Sequence, residues 1–340
     1  MTRRGALALG CGALAWALAG CPSSAPARPQ VVVYCSLDRL YAQPVLERLG
    51  AELGLEVLAK YDGEATKTTG LVAAIRAEAN APRADVFWNN EVSQTVALAQ
   101  EGALEPYASP NAEGLPAYAR DPEQRWTGFA ARARVLLVNT ELVAEEETPR
   151  SLAALSDPRW RGRCGIAKPL FGTTATQVAA RYAADPAACE AWLQSLRANQ
   201  VVVCAGNSDV KDRVAQGELC FGLTDTDDAN LAVLAGAPVR VVFPDQGPDE
   251  AGTLLIPNAL ALVRGAPHPA AAKRLIDALL TPEVEASLAA SRSAQVPLRT
   301  RTARPAWIPD DLRVTPVDWV ATGAAFGPAS ALVKTQLLGQ

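Results

Sequence analysis

Three carboxylates fall within four residues in the stretch GLTDTDDANLA, residues 222–232: Asp225, Asp227 and Asp228. They follow an apolar run, ELCFGL, that reads as a strand. Asp is a favoured helix N-cap, and acids in a helix's first turn suit its dipole. One cap accounts for one Asp and leaves two over. Like charges this close repel unless something positive sits among them or one is protonated. Carboxylate and amide oxygens suit a hard cation such as Fe3+, Ca2+ or Mn2+. Asp225, Asp227, Asp228 and Glu91 are the candidate metal ligands, with Asn89 or Asn90 beside them. The same acids would equally grip an ammonium group on an organic ligand.

Other stretches suit an anion. GTTAT, residues 172–176, puts small residues and free backbone N–H groups at a helix start, with Gly172, Thr173 and Thr174 leading. Such a start receives phosphate or carboxylate. Asn207 and Ser208 open the next helix in the same way, and EATKTTG adds Lys67. Plain N-capping is the simpler reading of these residues. Acids on one side and N–H groups on the other fit two kinds of ligand. One is a metal ion bound with a synergistic anion, phosphate or carbonate. The other is a small zwitterion or organophosphate, such as an aminophosphonate.

Strands alternating with helices must position these groups. VVVYCS, LEVLAKYD and ADVFWNN read as strands with helices between them, the pattern of a parallel sheet covered on both faces. WTGFAARARVLLVNT reads as two strands joined by a crossover. Within it, Arg132 and Arg134 are expected to send one side chain to the site and one to solvent, or to pair with acids. GRCGIAKP, VVVCAGN and ELCFGLTD give three more strands, GTLLIPNALALVR a late one, and HPAAAKRLIDALLTPEVEASLAA one helix. Ligands of open α/β sheets bind at the carboxyl ends of the strands. WNNE, PLFGTTATQ, AGNSDVK and TDTDDAN all sit there, each a strand end passing into a polar loop and a helix.

The whole chain sets bounds. Its 340 residues suit two lobes rather than one compact core. The charge of −4, from 32 basic and 36 acidic residues, and the lack of a basic block argue against nucleic acid. Arg3 and Arg4 precede an apolar run ending in LAGC, residues 18–21. That run is too short for a spanning helix and reads as a secretory signal. LAGC resembles the lipobox of bacterial lipoproteins, in which the Cys, here Cys21, carries the lipid. Five cysteines follow, an odd number without a CxxC, and read as buried free thiols. Ser208–Lys211 matches the SxxK pattern of serine β-lactam enzymes, but its companion SDN triplet is missing and His268 is the one histidine. An exported serine hydrolase is therefore a minor alternative, and the main reading is not an enzyme.

Taken in order, VVVYCSLD, ADVFWNNE, GFAARARVLLVNT, DPRWRGRCGIAKPLFGTTAT, AGNSDVKDRVAQGE, GLTDTDDA and PHPAAAKRLIDALLTPEVE resemble the ferric-ion-binding solute-binding proteins of bacterial ABC importers. The resemblance runs from Val31 to Arg299. It implies an α/β, periplasmic-binding-protein-like (type II) fold of two lobes on a two-stranded hinge, near Ala131–Val135 and Gly252–Leu255. Residues 1–20 would be the signal peptide and 21–30 a tether. Residues 31–131 and 252–305 would form lobe 1, and 132–251 and 306–340 lobe 2. The implied protein is a monomer with no cofactor, bound to the membrane through its lipid. It would deliver ferric iron, as cargo, to an ABC permease and ATPase. The adjacent Tyr-Tyr pair that binds Fe3+ in the family is replaced here by Asp227 and Asp228. The family's early His falls in YCSLD, and its Glu aligns with Asn90, one place before Glu91.

Overall fold

A computed structural model describes residue 2, residues 28–62 and residues 69–340. Cys21, the signal segment and Lys67 lie outside the described residues. The chain opens with β1 (Gln30–Cys35), α1 (Arg39–Leu53), β2 (Glu56–Tyr61), α2 (Thr69–Ala77), β3 (Val86–Asn89), α3 (Ser93–Gln100) and β4 (Leu104–Glu105). Next come β5 (Thr127–Asn139), β6 (Cys164–Ala167), α4 (Gly172–Ala184), α5 (Pro186–Ala198), β7 (Val202–Cys204), α6 (Asn207–Ala215), β8 (Phe221–Asp225) and α7 (Thr226–Leu234). The chain finishes with β9 (Val239–Val242), β10 (Leu255–Val263), α8 (Pro269–Leu279), α9 (Pro282–Ala290) and α10 (Trp319–Leu332).

The strands run in the order β2-β1-β3-β10-β5-β8-β6-β7, with β4 on β10 and β9 on β5. At each end the pairing is parallel: β2, β1 and β3 on one side, β8, β6 and β7 on the other. In the middle, β5 and β10 pair antiparallel with each other and with their outer neighbours. The parallel ends are the βαβ repeats that the alternating pattern predicts.

The centre corrects the sequence reading. WTGFAARARVLLVNT is one strand, β5, buried over all 13 residues. It pairs with β10 as far as Ala133 and with β8 from Arg134 onward. Ala130, at φ 36°, is the extra residue of a bulge opposite Pro257 and Asn258. The bulge is held from outside the strand: Glu285 accepts from the Ala130 N–H at 2.9 Å. The partner change on β5 falls where Arg134 N donates to Leu254 O. The long helix expected over 268–290 is instead α8 and α9. It is broken before Pro282, which lacks the N–H needed to continue.

Two further packing details matter for the site. Gly222 on β8 faces α6, where a Cβ would meet Val210 at 2.3 Å. Its missing side chain lets α6 lie close over the sheet and sets where Asn207 and Ser208 start. The tail helix α10 packs on both α4 and α3, and Val333 and Leu337 beyond it join the core around Trp160 and Phe221. The five cysteines that follow Cys21 are buried free thiols, as expected, though Cys220 sits just ahead of β8 rather than in it.

Candidate functional site

A cavity of about 220 Å³ opens at the carboxyl ends of the strands. All four sequence segments placed there reach it. Asn90 comes from the end of β3, Gly172, Thr173 and Thr174 from the start of α4, Asn207 and Ser208 from the start of α6, and Asp228 from the first turn of α7. The loop after β1 brings Asp38, Leu40 and Tyr41, and Phe171 and Arg132 complete the polar and aromatic walls. Asp38, Tyr41 and Phe171 were not singled out from sequence. The signal for the first two was present, because SLD also lies at a strand's carboxyl end.

The acidic run splits into two roles. Asp225 ends β8 and occupies the N-cap position of α7, but its side chain makes no capping bond. It is fully buried and faces Arg134 at 2.6 Å and Arg132 at 3.3 Å. Thr173 Oγ1 and Asn207 Nδ2 also donate to it, at 2.6 and 2.8 Å. Burial alone would raise its pKa. Arg134, Arg132 and the Thr173 bond outweigh burial and hold it below the ordinary carboxylate value. Asp227 and Asp228 lie in the first turn of α7, where acids suit the dipole. Ser208 Oγ donates to Asp228 at 2.8 Å, and Arg132 reaches Asp227 at 3.4 Å. Oxygens of the three acids lie within 4.8 Å of one another.

The two arginines overturn the expectation that one faces solvent. Residues two apart on a strand share a face, and both are buried. Arg134 makes five side-chain hydrogen bonds, to Gln177, Thr173, Asn207, Asp225 and Thr174. Arg132 joins the two sides of the cavity by donating to the Asn90 carbonyl at 2.7 Å and facing Asp225 and Asp227. Burial pulls Arg132 toward its neutral form. Asp227, Asp225, Asp38 and Asp228 outweigh that and hold its pKa above the ordinary value. Tyr41 is pushed up to about 12 by burial and then by Asp227, Asp38 and Asp228. Among the described residues, the three acids face the two guanidiniums of Arg132 and Arg134.

Two sequence candidates, Asn89 and Glu91, lie elsewhere. Asn89 is buried under the cavity, donating to Glu91 and Thr95 and accepting from Ser36. Glu91 is buried as well. It accepts from the Ser93 and Gln94 N–H groups at the start of α3, and from Thr176 Oγ1 on α4 at 2.7 Å. It is a cap that ties the two halves of the molecule together and does not line the cavity, so it leaves the metal set. The SxxK pair fails as a catalytic unit. Ser208 is bonded to Asp228, while Lys211 pairs with Asp212 at 2.5 Å.

Residues 82–321 match the model of the bacterial extracellular solute-binding proteins. Iron uptake protein A1 of Synechocystis is 29% identical over 270 residues, which cover 75% of this chain and 71% of that one. The structure of iron-bound HitA from Pseudomonas aeruginosa superposes with a TM-score of 0.80 at 24% identity, over 91% of this chain and 99% of that one. AfuA from Actinobacillus pleuropneumoniae, with bound fructose-6-phosphate, superposes with a TM-score of 0.77 at 22% identity, over 90% and 97%. The mixed sheet and its two parallel ends are thus the fold of two-lobed periplasmic binding proteins.

Proposed function

This chain belongs to the bacterial extracellular solute-binding proteins, and from that premise we propose that it captures ferric iron, with a small oxyanion, for an ABC importer. The observation that carries this reading is the convergence of the Asp225, Asp227 and Asp228 oxygens within 4.8 Å at a cavity also faced by the starts of α4 and α6. Asp225 is committed to its arginines, so Asp228 and Asp227 hold the metal, with Asp38 adding negative charge from the opposite wall. The helix starts, through Thr173, Thr174, Asn207 and Ser208, and Arg132 take the anion. The names of relatives that handle iron support the cargo.

A second reading has its own support. Arg132 already stands among the acids, and a cavity of about 220 Å³ exceeds what a bare ion needs. Both features favour an organophosphate or aminophosphonate, whose phosphate takes Arg132 and the helix starts while the acids hold its positive or hydroxyl end. The sugar-phosphate-bound relative supports it. Calorimetry separates the two readings. Ferric nitrilotriacetate with phosphate should give saturable binding near one site per chain. Binding of 2-aminoethylphosphonate or fructose-6-phosphate, with no retention of iron, would replace the first reading by the second.

The chain is lipid-anchored at the cell envelope through Cys21 and hands its cargo to permease and ATPase subunits. The lobes, 31–131 with 252–305 and 132–251 with 306–340, close about β5 and the start of β10. Cys21→Ala should release the protein from membranes after a salt wash. Continued attachment of that variant would contradict the anchor.

A further inference from the structure

Helix α4 begins at the cleft and ends at a second, larger cavity. Thr173, Gln177 and Arg181 follow one another at four-residue spacing, so they share one face of the helix. Thr173 touches Asp225 in the cleft, and Gln177 Oε1 accepts from Arg134 Nε at 3.0 Å. With its oxygen so used, the Gln177 amide turns its N–H₂ away from Arg134. That nitrogen has no acceptor among the described residues, although Gln177 is 2% exposed and lines the second cavity. One turn on, Arg181 lines the same cavity. Its guanidinium has no ion pair and no hydrogen bond among the described residues, and its buried Nε is orphaned. One face of it lies over the Trp192 ring at 4.4 Å. Burial pulls its pKa down, and Cys189 and Asp245 compensate only in part. Arg181 is half-buried, its orphaned Nε carries a cost, and its guanidinium and the Gln177 amide line one space of about 460 Å³. That volume is within the range of small-molecule sites, roughly 300–1,000 Å³.

The rest of the lining narrows the ligand. Leu152, Leu254 and Val317 give an apolar wall. Three carboxylates also face the cavity, each engaged locally. Asp185 caps α5 through Ala188 N, Asp318 caps α10 through Ala321 N, and Asp245 accepts from Ser151 Oγ and Leu152 N. They make the site hostile to a dianion such as phosphate. One free guanidinium and one free amide match a single carboxylate.

We propose that the groove between α4, α5 and the segment leading into α10 is a second binding site, for a small organic monocarboxylate. Its carboxylate receives Gln177 Nε2 and the Arg181 guanidinium, and its apolar body lies on Leu152, Leu254 and Val317. The site is independent of the cargo in the cleft.

Octanoate and phenylacetate, titrated into the full chain by calorimetry and by Trp fluorescence, test this directly, since Trp192 stacks on Arg181. Saturable binding near one site per chain is expected, undisturbed by inorganic phosphate. Arg181→Met, which keeps the apolar stem, should weaken it tenfold or more. Ala184→Trp, which fills the groove and keeps the charge, should do the same, and decides the matter if the first variant does not fold. No saturable binding, displacement by phosphate, or unchanged affinity in the folded variants would each overturn the proposal.

Discussion

Arg134 is fully buried and Arg181 half-buried, and they stand on either side of Gln177. Arg134 spends its donors on five protein acceptors, one of them a carboxylate at 2.6 Å. Arg181 has an aromatic ring and no acceptor among the described residues. The first is a closed account of charge and hydrogen bonds, and it answers the question raised by the acidic run. The positive groups that Asp225, Asp227 and Asp228 require are in part internal, supplied by Arg132 and Arg134. The second is open. Sequence composition does not separate these two cases, because each is one arginine in an apolar setting.

The largest expected effect comes from opening the closed one. Arg134→Met removes all five of that side chain's hydrogen bonds and leaves Asp225 with Arg132 as its one cationic partner among the described residues. Breaking one member of a buried pair costs about 3–5 kcal/mol, so urea unfolding at neutral pH should show a loss of that order. A loss below about 1 kcal/mol would mean that the pair is not the keystone of this end of the cleft.

Acid sharpens the comparison next. The folded pKa of Asp225 is depressed, chiefly because its arginines outweigh burial. Its stabilising contribution is therefore complete above the unfolded value of about 3.9 and is lost as pH falls through the folded one. Asp225→Asn should be less stable than wild type at pH 7, and the gap should narrow below about pH 4. A gap independent of pH would assign the loss to shape rather than charge.

The smallest effect is expected at the open arginine. Arg181 is half-buried and has no ion pair or hydrogen bond to lose among the described residues, and its orphaned Nε would go with the substitution. Arg181→Met should thus leave the melting temperature unchanged or raise it. A fall like that of Arg134→Met would erase the contrast between the two residues.

Much of the frame was legible because it is local. Hydrophobic runs and polar loops marked seven of the strands, and the rule that ligands gather at strand ends collected Asn90, Thr173, Asn207 and Asp228 into one cavity. What escaped was long-range. Arg134 and Asp225 are 91 residues apart in the chain, and nothing in ARARV names its partner. Glu91 looks the same in sequence whether it caps α3 or binds a metal, since both roles ask for an acid just past a strand. WTGFAARARVLLVNT reads in sequence as two strands joined by a crossover, whereas β5 is one strand bent at Ala130 by a bulge. Gln177 and Arg181 showed no signal at all, because being unpartnered is a property of the packed chain.

The central claim is that the carboxylates at the start of α7 hold a cation in the cleft. It is tested most directly by titrating ferric nitrilotriacetate, with phosphate present, into wild type and Asp228→Asn by calorimetry. Asn keeps the shape and much of the helix-start compatibility while removing the charge. A charge-assisted contact is worth about 1.5–3 kcal/mol, so affinity should fall by about tenfold or more with the melting temperature held. Equal affinity in the two proteins, or no retention of iron by wild type, would contradict it.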